Sequence, residues 1–110
     1  MENGVPDRGD VVWLDFNPQA GREQAGRRPA LVLSPAMYNR FGLTHCCPIT
    51  SQVKGYPFEV PLTDCPVSGV VLSDHIRCVD WRARNADYIC TAPEGVVEEV
   101  KAKLKPILGY

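Results

Sequence analysis

Excess positive charge is missing from this chain. Its 12 Lys and Arg residues face 13 Asp and Glu, a formal net charge of −1. Bulk attraction to nucleic acid is thereby excluded, and any phosphate contact has to come from a local cluster. Long apolar runs are missing too: none approaches the length of a membrane span. No apolar segment follows Met1-Glu2-Asn3-Gly4, so no signal peptide is expected. There is no repeat, no linker and no low-complexity tract. The cysteines (Cys46, Cys47, Cys65, Cys78 and Cys90) are odd in number and form no C-x-x-C pair. Metal-ligand spacing with His45 or His75 is also absent, so no zinc site is expected. With no export signal, reduced thiols in a cytosolic chain are expected rather than a disulfide framework. Cys46, Cys47 and Cys78 read as small apolar filler in strands.

What is present fits one domain over residues 1–110, with one core. Val11–Phe16 is rich in β-branched and aromatic residues and reads as a strand. Ala30–Leu33 reads as a short strand buried on both faces. Ala36–Phe41 allows one helical turn, and Leu43–Ile49 reads as a third strand. Gly55-Tyr56-Pro57 is a turn signal. Phe58–Leu62 reads as a strand whose Pro61 points to an edge, and Val70–Leu72 and Ile76–Val79 as further short strands. Arg82–Asp87 reads as polar loop. Thr91 and Glu94 have the spacing of a capping box, with Pro93 in the first turn. Val96, Val97, Val100, Leu104, Ile107 and Leu108 then recur at helical spacing, and Pro106 should bend or end the helix. The expected architecture is mainly β: a small twisted sheet or partly closed barrel covered by a C-terminal amphipathic helix.

The most telling stretch is Gly21–Pro29, with three arginines, one glutamate and two glycines between two strands. Guanidinium forks suit phosphate. Arg28 precedes Pro29, which favours an extended backbone at the mouth of the second strand. Glu23 has two open roles: holding an arginine in place or accepting a proton. Thr50-Ser51-Gln52 followed by Lys54 offers hydroxyl, amide and ammonium groups to a phosphate or a base edge. Trp13 and Phe58 read as core, whereas Tyr56 and Trp81 read as exposed surfaces on which bases can stack. His45 and His75 show no partner motif and read as structural.

Together these residues carry a resemblance. Pro6-Asp7-Arg8-Gly9-Asp10-Val11-Val12-Trp13, Glu23-Gln24-Ala25-Gly26-Arg27-Arg28-Pro29-Ala30, Thr50-Ser51-Gln52, Lys54-Gly55-Tyr56-Pro57-Phe58-Glu59-Val60 and Trp81-Arg82-Ala83-Arg84 resemble the MazF/PemK toxins of bacterial toxin–antitoxin systems. The MazF branch is the nearer. The resemblance covers nearly the whole chain, and its force lies in the series rather than in any one motif.

The resemblance implies an SH3-like small barrel working as a homodimer. The implied activity is that of a cytoplasmic mRNA interferase, cutting single-stranded RNA without a metal or other cofactor. The 2′-hydroxyl attacks the adjacent phosphate and leaves a 2′,3′-cyclic phosphate and a 5′-hydroxyl. The family's catalytic positions fall on Arg28, Thr50 and Glu23. Arg22, Gln24, Arg27, Ser51, Gln52, Lys54, Tyr56, Arg82 and Arg84 are the expected RNA contacts. The implied partner is a MazE-like antitoxin with an acidic disordered tail, through which alone operator DNA is bound. A gyrase-binding toxin of the CcdB type is the alternative, as is an SH3-like interaction module. The ending Ile107-Leu108-Gly109-Tyr110 lacks the terminal Trp-Gly-Ile of the CcdB type. Arg27 stands where the family can have histidine, and His75 and Cys46-Cys47 stand at variable positions, so base preference is not legible.

Overall fold

The computed structural model describes residues 1, 4–16 and 26–110. Strand β1 (Asp10–Asp15) pairs antiparallel with β2 (Arg27–Val32), Val12 opposite Ala30 and Leu14 opposite Arg28. A four-residue helix, α1 (Ala36–Asn39), leads into β3 (Leu43–Thr50), which pairs with β2. The other edge of β3 is shared. Its first half pairs with β6 (Arg77–Asp80) and its end with β5 (Val70–Leu72). A 3-10 turn at Ser73–His75 forms the corner between β5 and β6. β4 (Glu59–Pro61) adds to β5 as an edge strand, which suits Pro61, and β7 (Asp87–Thr91) adds to β1 at the opposite edge. Among the described residues β4 and β7 do not pair, so the seven-stranded sheet is twisted but open. Helix α2 (Glu94–Leu108) covers one face.

The strands bury both faces, which explains their unbroken apolar runs. Val11, Leu31, Cys47 and Ile49 pack with Val60, Val71 and the α2 residues Val96, Val97, Val100 and Leu104. Their neighbours Val12, Leu14, Phe16, Ala30, Val32 and Cys46 point to the other face and pack with Val79 and Trp81. Asn39 is fully buried and satisfied. Its amide donates to the Pro6 and Ser34 carbonyls, and its own carbonyl accepts from Trp81 Nε1 at 2.7 Å.

The mainly-β fold with a closing helix is therefore as expected, with several local corrections. β2 begins at Arg27, so both Arg27 and Arg28 lie on a strand rather than in the preceding loop. β7 was not foreseen, because Asp87-Tyr88-Ile89-Cys90-Thr91 carries little apolar alternation. Thr91 belongs to that strand and its hydroxyl lies 2.9 Å from Tyr88 Oη. No capping box forms, and Pro93 is the N-cap. The helix runs two residues past Pro106 to a left-handed Gly109 and leaves Ile107 and Leu108 exposed. Trp81 is 6% exposed rather than a surface ring, because its indole N–H has the Asn39 carbonyl as a buried partner. Cys78 is exposed, whereas Cys46 and Cys47 are buried as expected. Cys65 and Cys90 form a disulfide, which corrects the expectation of five reduced thiols. Their separation of 25 residues left no local signal, and only the approach of the β4–β5 loop to β7 brings them together. Among the described residues no helix is long and apolar enough to cross a membrane.

Candidate functional site

Thr50 is the last residue of β3 and is 4% exposed. The register of β2 against β3 sets Ala30 opposite Pro48. Arg28 lies opposite Leu14 of β1, and Thr50 lies four positions beyond Cys46 on β3. Opposite residues, and residues an even number apart on one strand, share a face, so both belong to the face of Leu14, Ala30 and Cys46. Arg28 is half-buried there. The Thr50 hydroxyl oxygen accepts the Gln52 backbone N–H at 3.1 Å, a local turn that fixes the side chain and leaves its proton available to donate.

From Thr50 a cleft of about 580 Å3 runs along Gln52, Lys54, Tyr56, Glu59, Leu72, Asp74 and His75. Its size suits a small ligand or one part of a larger one. Glu59 shapes the wall, because its carboxylate accepts the backbone N–H groups of Lys54 and Gly55 at 3.1 and 2.9 Å. The Lys54 ammonium lies 6.0 Å from the Tyr56 ring centroid. Asp74 and His75 come from the corner between β5 and β6, with Asp74 Oδ1 4.0 Å from His75 Nε2. Gly69 makes the close approach of β5 possible. A Cβ on it would fall 2.2 Å from the Thr50 carbonyl oxygen.

The expected site residues divide into groups. Arg28 and Thr50 are brought to one face of the sheet, and Gln52, Lys54 and Tyr56 continue from Thr50 along the cleft. Ser51 is exposed beside them. Arg22, Glu23 and Gln24 lie outside the described residues. Arg27 bonds Asp15 at 3.1 Å, Asp87 at 2.7 Å and the Asn85 carbonyl at 2.8 Å, a clasp joining β1, β2 and the approach to β7. Its charge is compensated by two carboxylates. Asp15 is held below the ordinary aspartate pKa, first by the Asn85 side chain and then by Arg27. Arg84 donates to the Asp15 carbonyl at 2.9 Å. Arg82 stacks 4.4 Å over Trp81, close to Gly42. That is the Leu43 end of β3, about 23 Å along the strand from Thr50, so the fold does not bring Arg82 to Thr50 within one chain.

Four residues that line the cleft were not among the expected site residues: Glu59, Leu72, Asp74 and His75. His75 was expected to be structural. The signal for Asp74 and His75 in the sequence is a polar pair one residue after the apolar Val70–Leu72 run. His45 keeps a structural place, its ring 5.3 Å from that of Tyr38.

A guanidinium and a strand-end hydroxyl on one face, beside a polar cleft, suit an anionic polymer with bases to lodge. Comparison with known proteins agrees. A family model described as PemK-like, MazF-like toxin of type II toxin–antitoxin systems matches residues 7–108. The endoribonuclease toxin MazF of Escherichia coli strain K12 is 48% identical over 96% of both chains. The endoribonuclease toxin ChpB of the same strain is 38% identical over 93% of both. The crystal structure of MazF from Deinococcus radiodurans has a TM-score of 0.93 at 59% identity, covering 96% of this chain and 98% of that one. A chain of the MazE–MazF complex from the same organism gives 0.86 at 60% identity, covering 96% of each. The chain belongs to the PemK/MazF-like family of type II toxin–antitoxin toxins.

Proposed function

We propose that this chain is a cytoplasmic endoribonuclease toxin, one domain over residues 1–110 acting as a homodimer. It cleaves single-stranded mRNA at short sequences without a metal. The substrate's 2′-hydroxyl attacks the adjacent phosphate, and the products carry 2′,3′-cyclic phosphate and 5′-hydroxyl ends. The observation that carries this reading is the placement of Arg28 and Thr50 on one face of the sheet, Arg28 opposite Leu14 and Thr50 four positions along β3 from Cys46.

Arginine, with a pKa above about 12, is a poor base at neutral pH. Arg28 therefore acts electrostatically, holding the phosphate oxygens and stabilising the charge that grows on them as the 2′-oxygen attacks. Thr50 donates its hydroxyl proton to the same oxygens. Glu23 either takes the 2′-hydroxyl proton or orients an arginine. Gln52, Lys54 and Tyr56 hold the strand beside the scissile bond. The MazE–MazF complex is known for the Deinococcus relative. For this chain the matching partner is an antitoxin whose acidic tail folds into the same positive site.

An RNA cleavage assay with excess EDTA tests the reading. Cleavage persists in EDTA, and Arg28→Ala lowers its rate about a hundred- to thousandfold, the usual loss for one such donor. Cleavage abolished by EDTA overturns the metal-free reaction. Absence of cleavage at any protein concentration overturns the enzyme in favour of a binding toxin.

A further inference from the structure

The face that carries Arg28 and Thr50 holds another cation that none of the site residues above accounts for. Arg77 opens β6 opposite Cys46, so its side chain shares the face of Cys46 and Thr50. β6 is antiparallel to β3, which puts Arg77 at the end of β6 nearer to Thr50. Its guanidinium lies 5.2 Å from the Phe16 ring centroid. The Phe16 N–H bonds the Gly26 carbonyl at 2.9 Å, so that ring marks the mouth of β2 from which Arg28 projects. Three strands thus deliver Arg28, Thr50 and Arg77 to one end of one face.

The charge balance distinguishes Arg77 from its neighbours. Arg27 is compensated by Asp15 and Asp87. Arg77 is half-buried, and among the described residues no carboxylate pairs with it. A partly desolvated guanidinium set over a ring, with no carboxylate beside it, is incompletely satisfied. Phosphate is the ligand that completes such a fork. Thr50 lies four positions beyond Cys46, about 13 Å of strand. This is too far for Arg77 to share the scissile phosphate with Thr50 through backbone placement alone. We infer that Arg77 is a positioning residue that binds an RNA phosphate flanking the scissile one and so sets the register of the strand against Arg28 and Thr50. The inference rests on the endoribonuclease reading of the same site.

The test begins by mapping one cleaved sequence by primer extension with wild-type protein. A fluorescent oligonucleotide of that sequence, with deoxyribose at the cleavage step, then serves as an uncleavable probe. Arg77→Gln keeps an aliphatic stem over Phe16 and removes the charge, whereas Arg77→Lys keeps the charge. Arg77→Gln should weaken binding about tenfold at low salt, in line with loss of one charge-assisted contact. It should also lower the slope of log K against log salt by about 0.7, the loss of one phosphate contact to a single strand. The effect should appear in KM with kcat kept within about threefold, and Arg77→Lys should restore the slope. If Arg77→Gln matches wild type in slope and affinity while wild type cleaves RNA, Arg77 is only a lid on Phe16 and the inference is overturned. A wild-type protein that neither cleaves nor binds RNA overturns both this inference and the reading beneath it.

Discussion

Gly69→Ala tests the site where backbone, rather than side chain, sets the geometry. Gly69 has φ +135°, a region that L side chains rarely adopt. A Cβ there would lie 2.2 Å from the Thr50 carbonyl oxygen, 2.8 Å from its carbonyl carbon and 3.2 Å from Ser51 Cα. A carbon rests against a carbonyl oxygen at about 3.3 Å or more. The strands must therefore separate by about 1 Å at Thr50. The atoms in the way are backbone, so no rotamer change relieves the clash. Backbone strain contributes about 1–3 kcal/mol, and overpacking about as much again. For a chain of this size the melting temperature should fall by roughly 10 °C or more. The functional loss should exceed the loss of folded protein, because a displacement of about 1 Å at a reacting group can cost about a hundredfold in rate. The assay is kcat/KM for RNA cleavage, read well below the variant's own melting temperature. Gly95→Ala is the control, since its added methyl meets nothing within 4 Å on an exposed turn of α2. It should gain about 0.5–1 kcal/mol in stability and keep activity. A folded Gly69→Ala protein with kcat/KM within about threefold of wild type would refute the claim that β5 positions Thr50.

Other expectations follow from the cysteines and from Asp15. Cys65→Ser opens the disulfide across 25 residues. The loop-entropy estimate puts the loss at about 3.5 kcal/mol, seen as a fall in melting temperature that a reductant reproduces in wild type and not in the variant. Ellman's reagent should titrate Cys78 in the native protein and leave Cys46 and Cys47 until unfolding. Burial pushes the Cys46 thiol up to about 12 and raises Cys47 as well. Asp15 has a depressed folded-state pKa, so its bonds to Asn85 and Arg27 stabilise the fold above its unfolded value of about 3.9. That contribution is lost as pH falls through the lower folded value. Asp15→Asn should accordingly melt below wild type at neutral pH and converge with it in strong acid. A difference that stays constant across that range would rule out the clasp as its source.

Elements with a clear composition or period were legible in the sequence. Val11–Phe16 declared a strand by its β-branched and aromatic residues, and the Val96–Leu104 stripe declared a helix because burial there repeats with the backbone. Arg28 and Thr50 were expected as site residues through family resemblance. Their place on one face was not legible, because register is a property of two strands and neither carries it alone. β7 escaped notice because its residues are exposed or half-buried, held by pairing with β1 more than by apolar packing. Trp81 misled because its flanking arginines suggested surface, while the Asn39 carbonyl that satisfies its indole lies 42 residues away. Asp74, His75 and Arg77 were hidden for a related reason. Their meaning comes from a corner that turns β5 into β6, and no local motif announces such a corner.

The pairing of β1 with β7 has a consequence for how the molecule is made. Asp10 lies opposite Thr91, and the side chains of these residues meet across a separation of 81 residues. Loop closure over such a distance carries a large entropic cost that local contacts cannot offset early. β1 can pair with β2 as soon as both exist, but its outer edge has to wait for nearly the whole chain. A nascent or truncated chain that stops short of Asp87 therefore presents β1 as an open edge, the kind of surface that recruits other strands. Synthesis from the N-terminus keeps the sheet incomplete until β7 is free to fold, so the Arg27 clasp with Asp87 closes only on a nearly finished protein.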